Sequence, residues 1–581
     1  MGKKSLIGSK YSTIIFLPIV YFWKNNTTPL SLRFLQISAL IFLVTGFYWP
    51  VLNFLSGSNP LHPEENFLQW SFFKDFLSDS WNLRVIIFSL YQAFLSAVLS
   101  IIFGFPGAWL LTHYNFPGKQ WFRLLTYLPF ILPSILVVLA MVLFFGNNGW
   151  VNRAMMSLLG TDEPPVHFLY SLSGILIAHV FYNFPLAMKI ISDQWENISL
   201  KYLQAARSLG VGNTRRFFSI TFPLLLPSIG SAFILIFLLC MNSFAIILVL
   251  GGGIRYTTIE VLIYQLARIE FDFSGAASLA FLQGCLSLLG MAILLRGRDQ
   301  SVEQKSGFKS WLPESLKDGS PKAWLGLFWI VVVLIFVLGP LTAIILDSFR
   351  KFEHGQWIYT LEWYSRLFSW RENNQFLLSL WNSLRIGLGS ALLSSLCGLG
   401  LVSLIAYRKG RQRSLWEMLT LFPLALSTVV FGVAWFHFYQ RHLIEIFPLI
   451  FVVMSMHALV TCPYWIRVVL PTLENIPRQW HSESKMLGKQ PFEHGFRILW
   501  PWLRKTFLIA FFFSFSLSLG ELNSTMMIAD DTVRTLPLEI YGAISGYRFS
   551  YASAVGVILL LLSVSTFFVV ERSLGYFGTL K

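Results

Sequence analysis

Charged residues divide the chain into twelve long uncharged stretches, and that division leaves few folds open to it. The stretches run between Arg33 and Glu64, Arg84 and His113, Arg123 and Arg153, Glu163 and Lys189, Arg216 and Arg255, and Asp272 and Arg296. A second set lies between Lys322 and Asp347, Arg385 and Arg408, Glu417 and Arg441, Glu445 and Arg467, Lys505 and Arg534 (interrupted by Glu521 and Asp530), and Arg548 and Glu571. Each holds the ~20 apolar residues that a helix needs to cross a bilayer. A membrane β-barrel requires short segments of alternating hydrophobicity, whereas these runs are continuous and rich in Leu, Phe and Ile. Composition agrees: 55% of residues are hydrophobic and only 13% charged, too little charge to solvate a water-soluble globule of this size. The expected fold is an all-α integral membrane protein of about 12 transmembrane helices, six in each half.

Charge placement orients such a bundle. With the N-terminus inside, the loops on that side carry Lys119, Arg123, Lys201, Arg207, Arg215 and Arg216, then the basic stretch 296–322, then Arg408 to Arg413, and finally Arg478, Lys485, Lys489 and Arg497. The acidic residues Glu64, Asp79, Asp162, Glu163, Asp272, Glu353, Glu372 and Asp530 fall on the other side. This is the positive-inside bias, and it accounts for the net charge of +15 without a nucleic-acid partner, since the basic residues are spread among loops and no binding motif accompanies them. Both termini are expected in the cytoplasm. The apolar segment 11–23 is too short to span and lacks a cleavage site after it, so it is read as an uncleaved interfacial segment or an extra helix. Cys240, Cys285, Cys397 and Cys462 have no metal or disulfide spacing and are read as packing residues.

One polar loop occurs twice. Gln204-Ala205-Ala206-Arg207, Gly210, Ile220 and Pro223 are echoed 278 positions later by Ser482-Glu483-Ser484-Lys485, Gly488, Ile498 and Pro501. Pro185 and Glu196-Asn197-Ile198 recur at the same offset as Pro463 and Glu474-Asn475-Ile476. In the first copy the sequence predicts a short helix over 200–209, with Ala205 and Ala206 small enough for close approach of a partner. Gly210 supplies a left-handed cap. A second basic piece, 213–219, leads to Pro223 at the start of the next span, where proline is tolerated. Two such loops on one side of a membrane imply two equivalent docking points.

At these residues the chain resembles the permease subunits of binding-protein-dependent ABC importers, whose signature is Glu-Ala-Ala, three residues, Gly, nine residues, Ile-x-Leu-Pro. The first copy departs from it at Gln204 and Phe222; the second at Ser482, Glu483, Ser484 and Trp500. Asn183-Phe184-Pro185, the segment Leu250 to Gln265, Leu90 to Ala97 and Arg534 to Tyr541 further resemble the fused permease of the thiamine importer. Fused ferric-iron permeases share the architecture. The resemblance implies two tandem six-helix permease domains, residues 33–295 and 323–570, with coupling loops at about 193–222 and 471–500. Residues 1–32 form an N-terminal segment, 296–322 a cytoplasmic linker and 571–581 a tail. It further implies a location in the bacterial inner membrane, an ABC ATPase homodimer on the cytoplasmic face, a periplasmic or lipid-anchored solute-binding protein, and thiamine or its phosphates as cargo, with ferric iron as the alternative.

No Gly-x-x-x-x-Gly-Lys-Ser/Thr occurs in the chain, so ATP and Mg belong to the partner ATPase, and this chain is expected to bind no cofactor or metal and to catalyse no reaction. Glu521 is the one carboxylate read as lying inside a span, with Asn523 and Ser524 beside it; Asn242 and Ser243 hold the matching place in the first half. An ionisable group there costs roughly 2.5–3.5 kcal/mol near the bilayer centre and tends to face a cavity or a partner. These five residues are the expected substrate pathway, Glu521 favouring a cationic ligand such as a thiazolium; the alternative is that Glu521 lies at the outer interface or bonds neighbouring backbone. His179, His437 and His457 are read as interhelical hydrogen-bonding residues, and Gly251-Gly252-Gly253 as a turn on the outer side. A twelve-span ion-coupled carrier is the rival architecture, but it leaves the repeated loop unexplained.

Overall fold

The computed structural model describes residues 30–56, 78–298, 314–315, 321–354, 356–369, 374–406, 408–444, 446–476 and 500–574, with the single positions 74, 480 and 486. Segment 11–23 lies outside them, as does most of the second repeated loop. Among the described residues eleven helices are long and apolar enough to cross a membrane, and a bent pair brings the number to twelve. That pair, Gly410–Leu424 and Thr428–His442, turns through 86° at Ala425 to Ser427, within the run read as a single span between Glu417 and Arg441.

In chain order the helices are α1 (Leu30–Leu43), joined by a π-turn to α2 (Trp49–Ser56), then α3 (Ser80–His113), α4 (Lys119–Ile131), α5 (Ser134–Phe145) and α6 (Trp150–Leu159). Next come α7 (Leu172–Glu196), α8 (Leu200–Ser208), α9 (Asn213–Arg216), α10 (Phe222–Met241), α11 (Ala245–Leu250), α12 (Ile259–Gln265) and α13 (Phe273–Arg298). The second half holds α14 (Pro321–Asp347), α15 (Glu362–Leu367), α16 (Gln375–Ala406), α17 (Gly410–Leu421), α18 (Thr428–His442), α19 (Leu449–Glu474), α20 (Trp500–Gly520), α21 (Asn523–Ile528), α22 (Leu536–Ser545) and α23 (Phe549–Leu574). A hairpin of β3 (Arg350–Glu353) and β4 (Gln356–Tyr359) follows α14, and the two-residue strands β1 (Tyr114–Asn115) and β2 (Glu314–Ser315) pair in parallel.

The helices pack as two compact units that do not follow chain order. One contains residues up to 57, 375–536 and from 561 onward; the other contains 58–374 and 537–560. In the first unit α1 and the π-turn after it sit among second-half helices: Gln36 Nε2 donates to Ser403 Oγ at 3.0 Å, Tyr48 OH to the Leu419 carbonyl at 2.7 Å, and Trp435 Nε1 to the Gly46 carbonyl at 2.8 Å. In the second unit α14 packs on first-half helices through Phe336, whose ring centroid lies 5.0 Å from Phe103 and 5.5 Å from Phe181.

Small residues set the closest helix approaches. Along α3 the buried positions include Ala93, Ser96, Ala97, Ser100 and Gly104, a stripe at helical spacing that admits α7. A Cβ on Gly104 would stand 2.9 Å from the Phe184 carbonyl and 3.0 Å from the Met188 nitrogen, so the two backbones are within a side chain's width. In the other unit α16 uses Ser383, Gly387, Ser390, Ser394 and Gly398 among its buried positions, with Gly398 beneath the Trp465 ring of α19.

Candidate functional site

The first repeated loop folds as a helix, a sharp turn and a second helix. Ser199 caps α8, its Oγ accepting from the Lys201 N–H. Within α8, among residues 201–208, Leu203 and Ala206 are buried, while Lys201, Tyr202, Gln204, Ala205 and Arg207 are exposed. The helix ends in a Schellman motif: the Gly210 N–H donates to the Arg207 carbonyl at 2.9 Å and the Val211 N–H to the Ala206 carbonyl at 3.0 Å. Gly210 adopts φ +72°, the left-handed conformation that the duplicated glycine requires.

The chain then enters α9 and passes through a π-turn, Phe217–Thr221, into α10. The π-turn has a local cause, because Pro223 has no N–H and its ring crowds the carbonyl four residues back. Ile220 is half-buried and Pro223 exposed. The loop is held at its root by Trp195, fully buried between Phe105 and Phe217 at centroid distances of 5.3 and 6.1 Å, and by the Arg123–Glu196 ion pair at 3.2 Å. Its tip presents Leu209 at 81% exposure and Phe218 at 62%, beside Arg207 and Arg215. Such a combined apolar and basic face suits a protein partner. In the second copy Ser482, Glu483, Ser484, Gly488 and Ile498 lie outside the described residues; Pro501 is exposed in the first turn of α20.

The expected pathway residues fall at two equivalent helix breaks. In the first half α10 stops at Met241 and α11 starts at Ala245, with Asn242 and Ser243 between them. Asn242 Oδ1 accepts from Gln283 Nε2 at 3.0 Å, and the same Gln283 nitrogen contacts Glu260 Oε1. In the second half α20 stops at Gly520 and α21 starts at Asn523. Glu521 Oε1 accepts from the Ser524 N–H at 3.0 Å and from Ser524 Oγ at 3.1 Å, so the carboxylate is turned onto the N-terminus of α21. Asn523 Nδ2 donates to Thr428 Oγ1 at 3.1 Å. Asn242, Ser243, Glu521 and Asn523 are part-buried and Ser524 fully buried.

Glu521 is not alone. Glu260, in the first turn of α12, and Glu539, in α22, are 0% and 1% exposed, and Tyr551 OH donates to Glu539 Oε1 at 2.8 Å. Bracketing spans by charge hid both, because it assigned each to an external loop. The two short helices enter alike: Ser89 Oγ accepts from the Ile259 N–H at 2.9 Å and Ser383 Oγ from the Leu536 N–H at 2.8 Å. The histidines also pair up, for His179 and His457 stand 278 positions apart and both are buried. That offset is visible in the sequence itself.

A family model for the "binding-protein-dependent transport system inner membrane component" matches residues 96–352. The chain is 30% identical over 502 residues to a thiamine transport system permease protein of Brucella abortus (strain 2308), covering 85% of this chain and 88% of that one. It is likewise 30% identical over 504 residues to the thiamine transport system permease protein of Haemophilus influenzae, covering 85% and 89%. Among solved structures, a bacterial ABC transporter involved in the import of the acidic polysaccharide alginate aligns with 46% of this chain and 93% of its own at 16% identity, with a TM-score of 0.37. The chain belongs to the binding-protein-dependent transport permeases, in the fused two-domain form of the thiamine permeases. It is a multi-pass inner-membrane permease subunit of an ABC importer, and its relatives are transport proteins.

Proposed function

We propose that the chain forms the translocation pathway of an ATP-driven importer of thiamine or its phosphates, with both termini in the cytoplasm. A separate ATPase homodimer, which binds the ATP and Mg, docks under the loops at about 193–222 and 471–500. An external binding protein delivers the cargo. Gln204, Ala205, Arg207 and Gly210 form the first docking surface, with Ala206 as its inner support; Ser482, Glu483, Ser484 and Gly488 hold the matching places in the second. The observation that carries this proposal is the exposed, Schellman-capped α8 on a buried root: a knob whose apolar and basic residues are left exposed by the described residues. ATP-driven closure of the partner would then move the pathway residues Asn242, Ser243, Glu521, Asn523 and Ser524 between inward- and outward-facing states, shifting an equilibrium through its different affinity for the two.

The test is uptake into proteoliposomes holding the permease, its ATPase and its binding protein. Labelled thiamine should accumulate only with ATP on the ATPase side, and unlabelled thiamine should compete while ferric iron does not. Competition by ferric iron alone would overturn the cargo assignment. Accumulation driven by a proton or sodium gradient without the ATPase would overturn the class.

A further inference from the structure

Two histidines recur at the repeat offset, and each bonds hydroxyl groups at or beside the helix break of its own unit, through different partners. His179 lies on α7, with Nδ1 2.9 Å from Ser96 Oγ of α3 and Nε2 2.9 Å from Ser243 Oγ, in the break between α10 and α11. His457 lies on α19, with Nδ1 2.8 Å from Ser518 Oγ of α20 and Nε2 2.8 Å from Thr525 Oγ1 of α21, one partner on each side of the second break. Both rings are 1% exposed. One turn further along, Asn183 Nδ2 donates to the His179 carbonyl at 3.0 Å and Thr461 Oγ1 to the His457 carbonyl at 2.9 Å, again 278 positions apart.

A helix break at membrane depth frees backbone groups that lipid cannot satisfy, so it must be held by side chains. At the first break Gln92 Nε2 donates to the Cys240 carbonyl at 3.1 Å, and the imidazole fixes the hydroxyl of Ser243. A neutral imidazole offers one donor and one acceptor on opposite edges, and a hydroxyl can complement either. The ring therefore spans two elements with no buried charge. Glutamine cannot do this, because its donor and acceptor lie at one end. The helix that carries the ring is also the helix that carries the loop: α7 runs unbroken from His179 to Glu196, about 25 Å, and α8 begins at Leu200. A tilt of α7 imposed at the loop is delivered to the break through this ring.

We infer that His179 and His457 are positioning residues that latch each loop-bearing helix to the break in the pathway helix, so that movement of the docked ATPase is converted into movement of Asn242, Ser243 and Glu521. The inference rests on the proposed docking role of the loops. Its signature is uncoupling. In the reconstituted transporter, His179→Leu and His457→Leu should lower thiamine import per ATP hydrolysed by roughly eightfold, the equivalent of two average membrane hydrogen bonds, while ATP hydrolysis itself continues.

The two ring nitrogens can be tested apart. Glutamine reaches as far as Nε2 and asparagine only as far as Nδ1, so His179→Gln should retain more than half of the coupling that His179→Asn loses. Thr525→Val removes two bonds at the second break, the one to His457 Nε2 and the one Oγ1 donates to the Glu521 carbonyl at 3.1 Å, with little change of side-chain shape, and it should lower coupling by roughly eightfold, as the leucine variants do. Hydrogen exchange of the 242–248 amides in nanodiscs should quicken in His179→Leu; this arm reads the latch without reference to cargo or ATPase. Wild-type import that needs no ATPase, together with quickened exchange in the variant, would remove the proposed function and leave the latch in place. Import and hydrolysis falling together in the leucine variants and in Thr525→Val, or unaltered coupling and exchange in all of them, would overturn it.

Discussion

Gly210 and Gly212 provide an internal comparison for the docking role proposed for the first repeated loop. Neither has any atom within 4 Å of the position a Cβ would take, so a small side chain meets no steric obstacle at either. Their backbones differ: Gly210 has φ +72°, whereas Gly212, which caps α9, has φ −62° and ψ 158°. Serine at 210 must adopt the left-handed region at a cost of roughly 1–2 kcal/mol. The same serine at 212 occupies an ordinary extended conformation and gains a hydroxyl able to cap α9. If the Schellman turn sets the geometry that the ATPase grips, Gly210→Ser lowers the docking-competent population of this loop by about five- to thirtyfold. Gly212→Ser leaves it unchanged or slightly raised. Asparagine at 210, which tolerates the left-handed region, should fall between. Affinity of purified permease for its ATPase is the readout, with ATP-dependent uptake beside it. Equal effects of the two serines, or full affinity of Gly210→Ser, would refute the argument, because backbone conformation is the main thing that separates the sites.

Other consequences can be checked in the same preparation. Gly104→Ala places a methyl 2.9 Å from the Phe184 carbonyl and 3.0 Å from the Met188 nitrogen, so α3 and α7 must separate; a loss of about 1–3 kcal/mol is expected, read as a lower unfolding midpoint in detergent. Glu521→Gln keeps an acceptor for Ser524 but removes the charge, so thiamine uptake should drop by severalfold while the fold is unaffected; normal uptake would end the pathway role of this carboxylate. In the β3–β4 hairpin Lys351 Nζ donates to Glu362 Oε2 at 2.6 Å, a bond that holds the Glu362 carboxyl below the usual glutamate range and raises the Lys351 ammonium. Because the glutamate pKa is depressed in the folded state, the pair's contribution is present above the ordinary glutamate range and is lost as pH falls through the folded value. Pepsin cleavage around residues 350–366 should accelerate there in the wild type, and Lys351→Met should weaken that pH dependence, leaving the part that comes from the Arg366–Glu362 ion pair.

The number of spans was legible because lipid imposes a simple rule on sequence: about 20 residues without charge. What happens inside a span obeys a different rule. The run between Arg216 and Arg255 contains no charge to mark that it holds two helices, α10 and α11, and the bend before Thr428 likewise lies within uncharged sequence. Glu521 was legible as an exception to the rule. Glu260 and Glu539 were not, since a short helix that enters and leaves on one side has the charge pattern of a loop. The membership of α1 and α14 in their units was also hidden. Chain order suggests six helices packed with their own six, and the contacts that decide otherwise, such as Gln36 with Ser403 and Phe336 with Phe181, join residues far apart in sequence. The first repeated loop was the most legible element, because a left-handed glycine, a small-residue helix and a proline each leave a residue type at a fixed spacing.

The repeat also separates frame from cargo-facing chemistry. Some positions that hold the frame keep their identity across 278 residues, among them Pro185 with Pro463, His179 with His457 and Gly210 with Gly488, while others, such as Asn183 and Thr461, keep only the contact. Positions at the helix breaks do not, for Ser243 is answered by Glu521, and Asn242 by Gly520. In the first half the polar group at the break leads through Gln283 to a carboxylate on α12; in the second the carboxylate sits in the break itself and is tied to α21. A frame must be symmetric if two copies of one ATPase are to move it in concert. A small asymmetric solute imposes no such requirement on the residues it passes, so divergence at the breaks against a retained histidine is the pattern expected if the histidines belong to the moving machinery and Asn242, Ser243 and Glu521 to the pathway.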